Sequence, residues 1–229
     1  MWIKHVAYED ANGRLKELYD RVKGHDDNVD NIMLAHSLRP HSMEGHMTLY
    51  KYVLHHNSNK TPKWFLETVG VFVSMLNGCD YCVDHHFSGL KRLMKDDERA
   101  DRIYTVLQAG SVESNDLDAA QQTALVYAKT LTTDPKASQQ LEANVSTMRD
   151  AGWDDGGILE INQVVAYFNY ANRTVLGLGV QPQATSSDCH QGIQIAPTIG
   201  HIVETAKQGE EKPTYAVFDL TFRSNRYTR

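Results

Sequence analysis

The stretch that decides the fold reads Glu67-Thr-Val-Gly-Val-Phe-Val-Ser-Met-Leu-Asn-Gly-Cys79-Asp-Tyr-Cys82-Val-Asp-His85-His86. It holds a Cys-x-x-Cys pair, a histidine four residues after the second cysteine, and a glutamate twelve residues before the first. Pro62 followed by apolar Trp64, Phe65, Val69, Phe72, Val73 and Leu76 predicts a buried helix. Pro62 suits the first turn, where its missing N–H does no harm. Asn77-Gly78 predicts the end of that helix, because glycine readily takes the left-handed conformation that closes one. Cys79 then falls in the turn, and Asp80 to Lys95 form a second helix.

The chemistry follows from that placement. Cys82 lies in the first turn of the second helix, where the partial positive charge and uncapped N–H groups favour a thiolate. Four residues is about one helical turn, so His86 shares a face with Cys82. Glu67 sits near the middle of the preceding helix. If the two helices fold back as an antiparallel pair, Glu67 reaches His86 directly or through a water. The expected result is a relay in which the histidine takes the thiol proton and the glutamate orients and charge-stabilises the histidine.

The pattern Glu-x11-Cys-x2-Cys-x3-His, carried here by Glu67, Cys79, Cys82 and His86, resembles the signature of alkylhydroperoxidase D-like proteins of the carboxymuconolactone decarboxylase superfamily. The wording NGCDYCVDHH is similar to the branch called peroxidase-related enzymes. The resemblance runs to about Val180. It implies an all-α helical bundle of the alkylhydroperoxidase D-like type, no cofactor, and a trimer or hexamer of subunits. It also implies a Cys-x-x-Cys pair that reduces hydroperoxides, cycles through a disulfide, and is reopened by a thiol reductant or redox protein donor. The best-studied members carry a histidine just before the second cysteine; Tyr81 stands there, to hydrogen-bond or to pack. Tyr81 and His85 are expected beside the four reacting groups. Asn169 and Arg173, in EINQVVAYFNYANR, match a second block of the family and are expected to tie helix ends together.

Cys82 is the expected attacking sulfur, passing through a sulfenic acid that Cys79 resolves. The opposite order, with Cys79 attacking as in thioredoxin-like pairs, stays open. Two other readings use the same residues. One is a general thiol–disulfide oxidoreductase. The other is a non-enzymatic helical protein holding zinc on Cys79, Cys82 and His85 or His86, for which no clear fourth ligand is visible.

Composition narrows the classes. A chain of 229 residues makes one large domain or two small ones. A net charge of −6 gives no footprint for nucleic acid. No apolar run reaches bilayer length, and Met1 to Asp10 lacks the apolar block of a signal peptide. Three cysteines, two of them in the pair, are no structural disulfide framework, so a reducing cytoplasm is expected. The expected division is a helical domain, 1–180, and a loop-rich extension, 181–229, packed on the same domain or a neighbouring subunit. In the extension a short helix over Ile199 to Gln208 and a strand or extended clip over Thr214 to Phe222 are expected, and for the lone thiol Cys189 reactive and inert readings stay open, with inert favoured.

Before residue 180 apolar spacing predicts helices over Glu9 to Val22, Asn31 to His36 and Pro40 to about His56. Later ones run to about Gln108 behind an Asp96-Asp97-Glu98 cap, from Asn115 or Asp116 to Leu131, from Ser138 to Ala151, and from Gly157 to Leu176. His36, His41, His46, His55 and His56 are read as surface or core groups; His55 and His56, adjacent on a helix, point apart.

Overall fold

Helix caps and stops set most of the element boundaries. The computed structural model describes residues 1–24 and 28–182. They form α1 (Gly13–Val22), α2 (Asn31–Ala35), α3 (Pro40–Tyr50), α4 (Lys63–Leu76), α5 (Asp80–Met94), α6 (Asp97–Gln108), α7 (Ala119–Thr133), α8 (Ser138–Asp150) and α9 (Asp155–Leu178). A single π-helical turn, Lys51–His55, prolongs α3. No strand occurs among the described residues. The chain is all-α, as its pattern predicts.

Asp96 caps α6 by accepting from the Arg99 N–H, and Asp154 caps α9 by accepting from the Gly157 N–H. Gly78, at φ +66°, ends α4 in the left-handed region. The start of α7 differs from the reading. Asp118 and Gln121 make a reciprocal capping box, so the helix begins at Ala119 rather than at Asn115. Asp116 instead takes both nitrogens of the Arg102 fork, at 2.8 and 2.9 Å. α1 likewise begins later, at Gly13, because residues 8–10 form a turn.

α4 is the axis of the bundle. Every residue from Phe65 to Ser74 is buried, and α5, α9, α7 and α6 pack around it. Each large apolar side chain buried there contributes roughly 1.5–3 kcal/mol. At Gly70 a Cβ would overlap the Phe168 ring, so glycine lets α9 close onto α4. A second cluster joins Leu15, Leu18 and Tyr19 of α1 to Met43 and Met47 of α3. A third holds Ala35, Cys79, Cys82, Val175 and Val180 at one end of the bundle.

Among the described residues no helix is long and apolar enough to cross a membrane. The expectations for Ile199 to Gln208, Thr214 to Phe222 and Cys189 lie outside the described residues, as does the extension beyond Pro182.

Candidate active site

The three-residue turn Asn77 to Cys79 folds α5 back along α4, which brings Glu67 opposite His86. Glu67 Oε2 lies 2.7 Å from His86 Nδ1. The carboxylate is 2% exposed and the histidine 8%, so this pair works where water competes little. Phe168 meets the His86 ring edge-on at 4.5 Å between centroids and holds the imidazole from the α9 side.

Cys79 and Cys82 sit one helical turn apart, with Sγ atoms 2.7 Å apart, and both are free thiols. Cys79 is fully buried and Cys82 nearly so. Beside them lies a network of amides. Asn77 donates to Asn169 at 3.2 Å and to Asn172 at 2.9 Å, while Asn172 donates to the Ser74 hydroxyl at 3.0 Å. Asn169 donates to the Thr132 hydroxyl and accepts from Arg173 at 2.7 Å. Asn169 and Arg173 thus tie α4, α7 and α9 together. Arg173, an exposed group, braces Asn169 rather than any sulfur.

A cavity of about 30 Å³ opens beside Cys82. Its walls include His46 of α3, Tyr50, Tyr81, His85, His86 and Tyr167. Cys82 reaches this space and Cys79 is not among the residues lining it.

Solved structures share this arrangement of helices. A peroxidase-related protein from Silicibacter sp. TM1040 is 25% identical, with a TM-score of 0.59 over 68% of this chain and 78% of its own. An alkylhydroperoxidase core, also a peroxidase-related protein, from Ralstonia eutropha JMP134 is 24% identical, with a TM-score of 0.60 over 75% of this chain and 84% of its own. The chain has the alkylhydroperoxidase D-like helical fold. The apo debrominase Bmp8 is similar in fold too, at 17% identity and a TM-score of 0.64, over 79% of this chain and 91% of its own. No family model and no curated protein matches the chain.

Within this alkylhydroperoxidase D-like frame Tyr81 acts as a pin. Its hydroxyl accepts from the Ile32 N–H at 3.3 Å, which joins α2 to α5. His85 is exposed and stands at the cavity wall.

The protonation pattern follows from burial and from these contacts. Burial pushes Glu67 up, but the charge and hydrogen bond of His86 outweigh it, and the carboxylate ends below its ordinary value. The thiols titrate as a pair. Cys79 falls below the ordinary thiol value, chiefly through its hydrogen bond with Cys82, with burial opposing. Cys82 is driven far up, by that same hydrogen bond and then by burial. The Asn172 amide favours the charged form of both sulfurs. Within the pair the proton is therefore lost more readily from Cys79 than from Cys82, whereas the helix-dipole argument considers Cys82 alone. The dipole argument omits the neighbouring sulfur, which can stabilise only one thiolate of the two.

Three groups at this site escaped the sequence reading. His55 reaches Glu67 from the far side, with Nε2 3.8 Å from Oε1. Its ring meets Tyr50 edge-on at 4.8 Å. The π-helical turn that ends at His55 puts it there, and an irregular turn of this kind has no sequence period to read. His46 is buried at 3% exposure and stacks on His36 at 4.8 Å. Asn172 is fully buried beside the thiols; the only signal for it was its place in the block shared with Asn169 and Arg173. No group of three or more His, Cys, Asp or Glu side chains among the described residues is arranged to hold a metal ion.

Proposed function

We propose that this protein is a thiol peroxidase, in which Cys82 reduces a hydroperoxide and Cys79 resolves the product. The observation that carries this reading is the 2.7 Å Glu67–His86 pair standing in the same buried site as two sulfurs 2.7 Å apart. Cys82 lines the cavity, so it meets the substrate. One proton of the thiol pair passes to His86, whose charged form Glu67 stabilises. The remaining proton crosses to Cys79 and frees the Cys82 thiolate.

The thiolate attacks the terminal oxygen of the peroxide. A sulfur–oxygen bond forms, the oxygen–oxygen bond breaks, and the leaving alkoxide takes the proton from His86. Cys82 is then a sulfenic acid. The Cys79 thiol attacks that sulfur, water leaves, and a Cys79–Cys82 disulfide closes. A dithiol donor reopens it by exchange.

The test is rapid mixing of the reduced full chain with hydroperoxide, followed by peptide mapping. One Cys79–Cys82 disulfide per peroxide consumed is expected, and none in Cys82→Ser. A wild-type protein that consumes no peroxide, while its thiols still reduce a disulfide reagent and close to a Cys79–Cys82 disulfide, overturns the reading in favour of general thiol–disulfide exchange.

A debrominase shares the fold, and a cysteine-to-alanine form of it holds 2,3,4-tribromopyrrole. Removal of bromine from such a ring is therefore the second reading. A cavity of about 30 Å³ suits a smaller group than that ring, and bromide release from tribromopyrrole in the same assay would be needed to favour it.

A further inference from the structure

We propose that the cavity beside Cys82 receives the peroxy group of a small, uncharged hydroperoxide, hydrogen peroxide above all, and that His46 is its hydrogen-bonding partner. The inference rests on the peroxidase reading and adds to it a substrate class and a binding residue.

His46 is 3% exposed, yet its Nδ1 is buried with no hydrogen-bond partner. Its other nitrogen has the Tyr167 hydroxyl at 3.5 Å. A buried polar atom that lacks a partner is costly, and such groups are rare in folded proteins. His46 lines the same cavity as Cys82 and His86, so a guest there meets walls that carry both the imidazole and the sulfur.

Size selects the guest. One water needs about 10–15 Å³ of such space, so a cavity of about 30 Å³ holds about two non-hydrogen atoms. That is the O–O unit of a peroxide. A ring or a branched carbon fits this space poorly.

Charge selects it as well. The lining contains Asp30 but no lysine or arginine. Burial, with the charges of His36 and His86, pulls His46 down to about 3, so it is neutral in ordinary buffer. Burial pushes the Tyr50, Tyr81 and Tyr167 phenols up, so they keep their protons. His86, which takes a proton in the proposed cycle, already has the Glu67 carboxylate as its partner, so it leaves no charge to balance an anionic guest. A neutral imidazole offers one donor and one acceptor, and hydrogen peroxide both donates and accepts.

The experiment follows single-turnover disulfide formation in the reduced full chain with hydrogen peroxide, tert-butyl hydroperoxide and cumene hydroperoxide. Rates are expected to fall in that order, by about tenfold or more between the first and the last. His46→Phe is expected to lose about tenfold with hydrogen peroxide, and His46→Gln, which keeps a donor and an acceptor, to recover most of it. Alkylation of Cys82 by iodoacetamide is the control, and it should change little in either variant. Equal rates for hydrogen peroxide and cumene hydroperoxide overturn the size argument. Alkylation falling in step with peroxide reduction makes His46 a packing residue and overturns its binding role. If wild type reacts with no peroxide but is alkylated normally, the peroxidase reading itself has failed, and this inference falls with it.

Discussion

Helices α5 and α3 both send a histidine to the Glu67 carboxylate, and they do so by opposite means. α5 is regular over Asp80–Met94, and His86 arrives at its place by plain helical period. α3 changes pitch. After Tyr50 one π-helical turn widens the ladder, so that His55 faces Glu67 while the adjacent His56 stacks on Tyr52 at 5.0 Å. His86 makes a 2.7 Å contact and His55 a 3.8 Å one. A regular element advertises its functional residues in the spacing; an irregular one hides them, although unusual turns of this sort gather at functional sites.

The two helices should therefore answer substitution unequally. His86→Ala should slow peroxide-driven oxidation of Cys82 by about a hundredfold or more, the usual scale of a lost general base. Rapid mixing measures it, and a loss no greater than that of His55→Ala would dissolve the distinction between the helices. Glu67→Gln should come next, at about tenfold to a hundredfold, since the partner of both histidines becomes neutral. His55→Ala should cost less than about tenfold in rate, because its nitrogen lies beyond direct hydrogen-bond reach.

Smaller effects belong to stability. Gly70→Ala should lower it by about 1–3 kcal/mol through displacement of Phe168, read by thermal melting. Because Phe168 also braces His86, the rate should fall in the same variant. The pH effect has a definite sign. His46 is pulled from 6.5 down to about 3 in the folded chain, so below 6.5 the unfolded chain takes up the proton first. Stability from this group is whole above that pH and is lost as the pH drops from 6.5 toward 3. Denaturant titrations across that window should show a shallower slope in His46→Gln. An unchanged slope would mean that His55 and the carboxylates carry the whole acid response.

The sequence made Glu67, Cys79, Cys82 and His86 legible because one hairpin carries all four, and a hairpin's geometry follows from two helical periods and a glycine stop. Cap residues made most boundaries legible too; α7 was misjudged only because Asp118 competes better than its neighbours for the same N–H groups. His46, Tyr50, Tyr167 and Asn172 were beyond reach, because they meet the hairpin only through packing of α3 and α9 on it. The downward shift of Cys79 was beyond reach for a different reason: it depends on a sulfur–sulfur contact that no spacing rule supplies.

One consequence concerns tempo. Both sulfurs lie under the surface, Cys82 at 4% exposure and Cys79 at none. In the proposed cycle that shelter would guard a half-oxidised sulfur from a second oxidant and would equally hinder a bulky protein donor at the finished cross-link. Recharging would then call for a slender thiol or for a lift of the amino end of α5, so the return stroke is where slowness is to be sought.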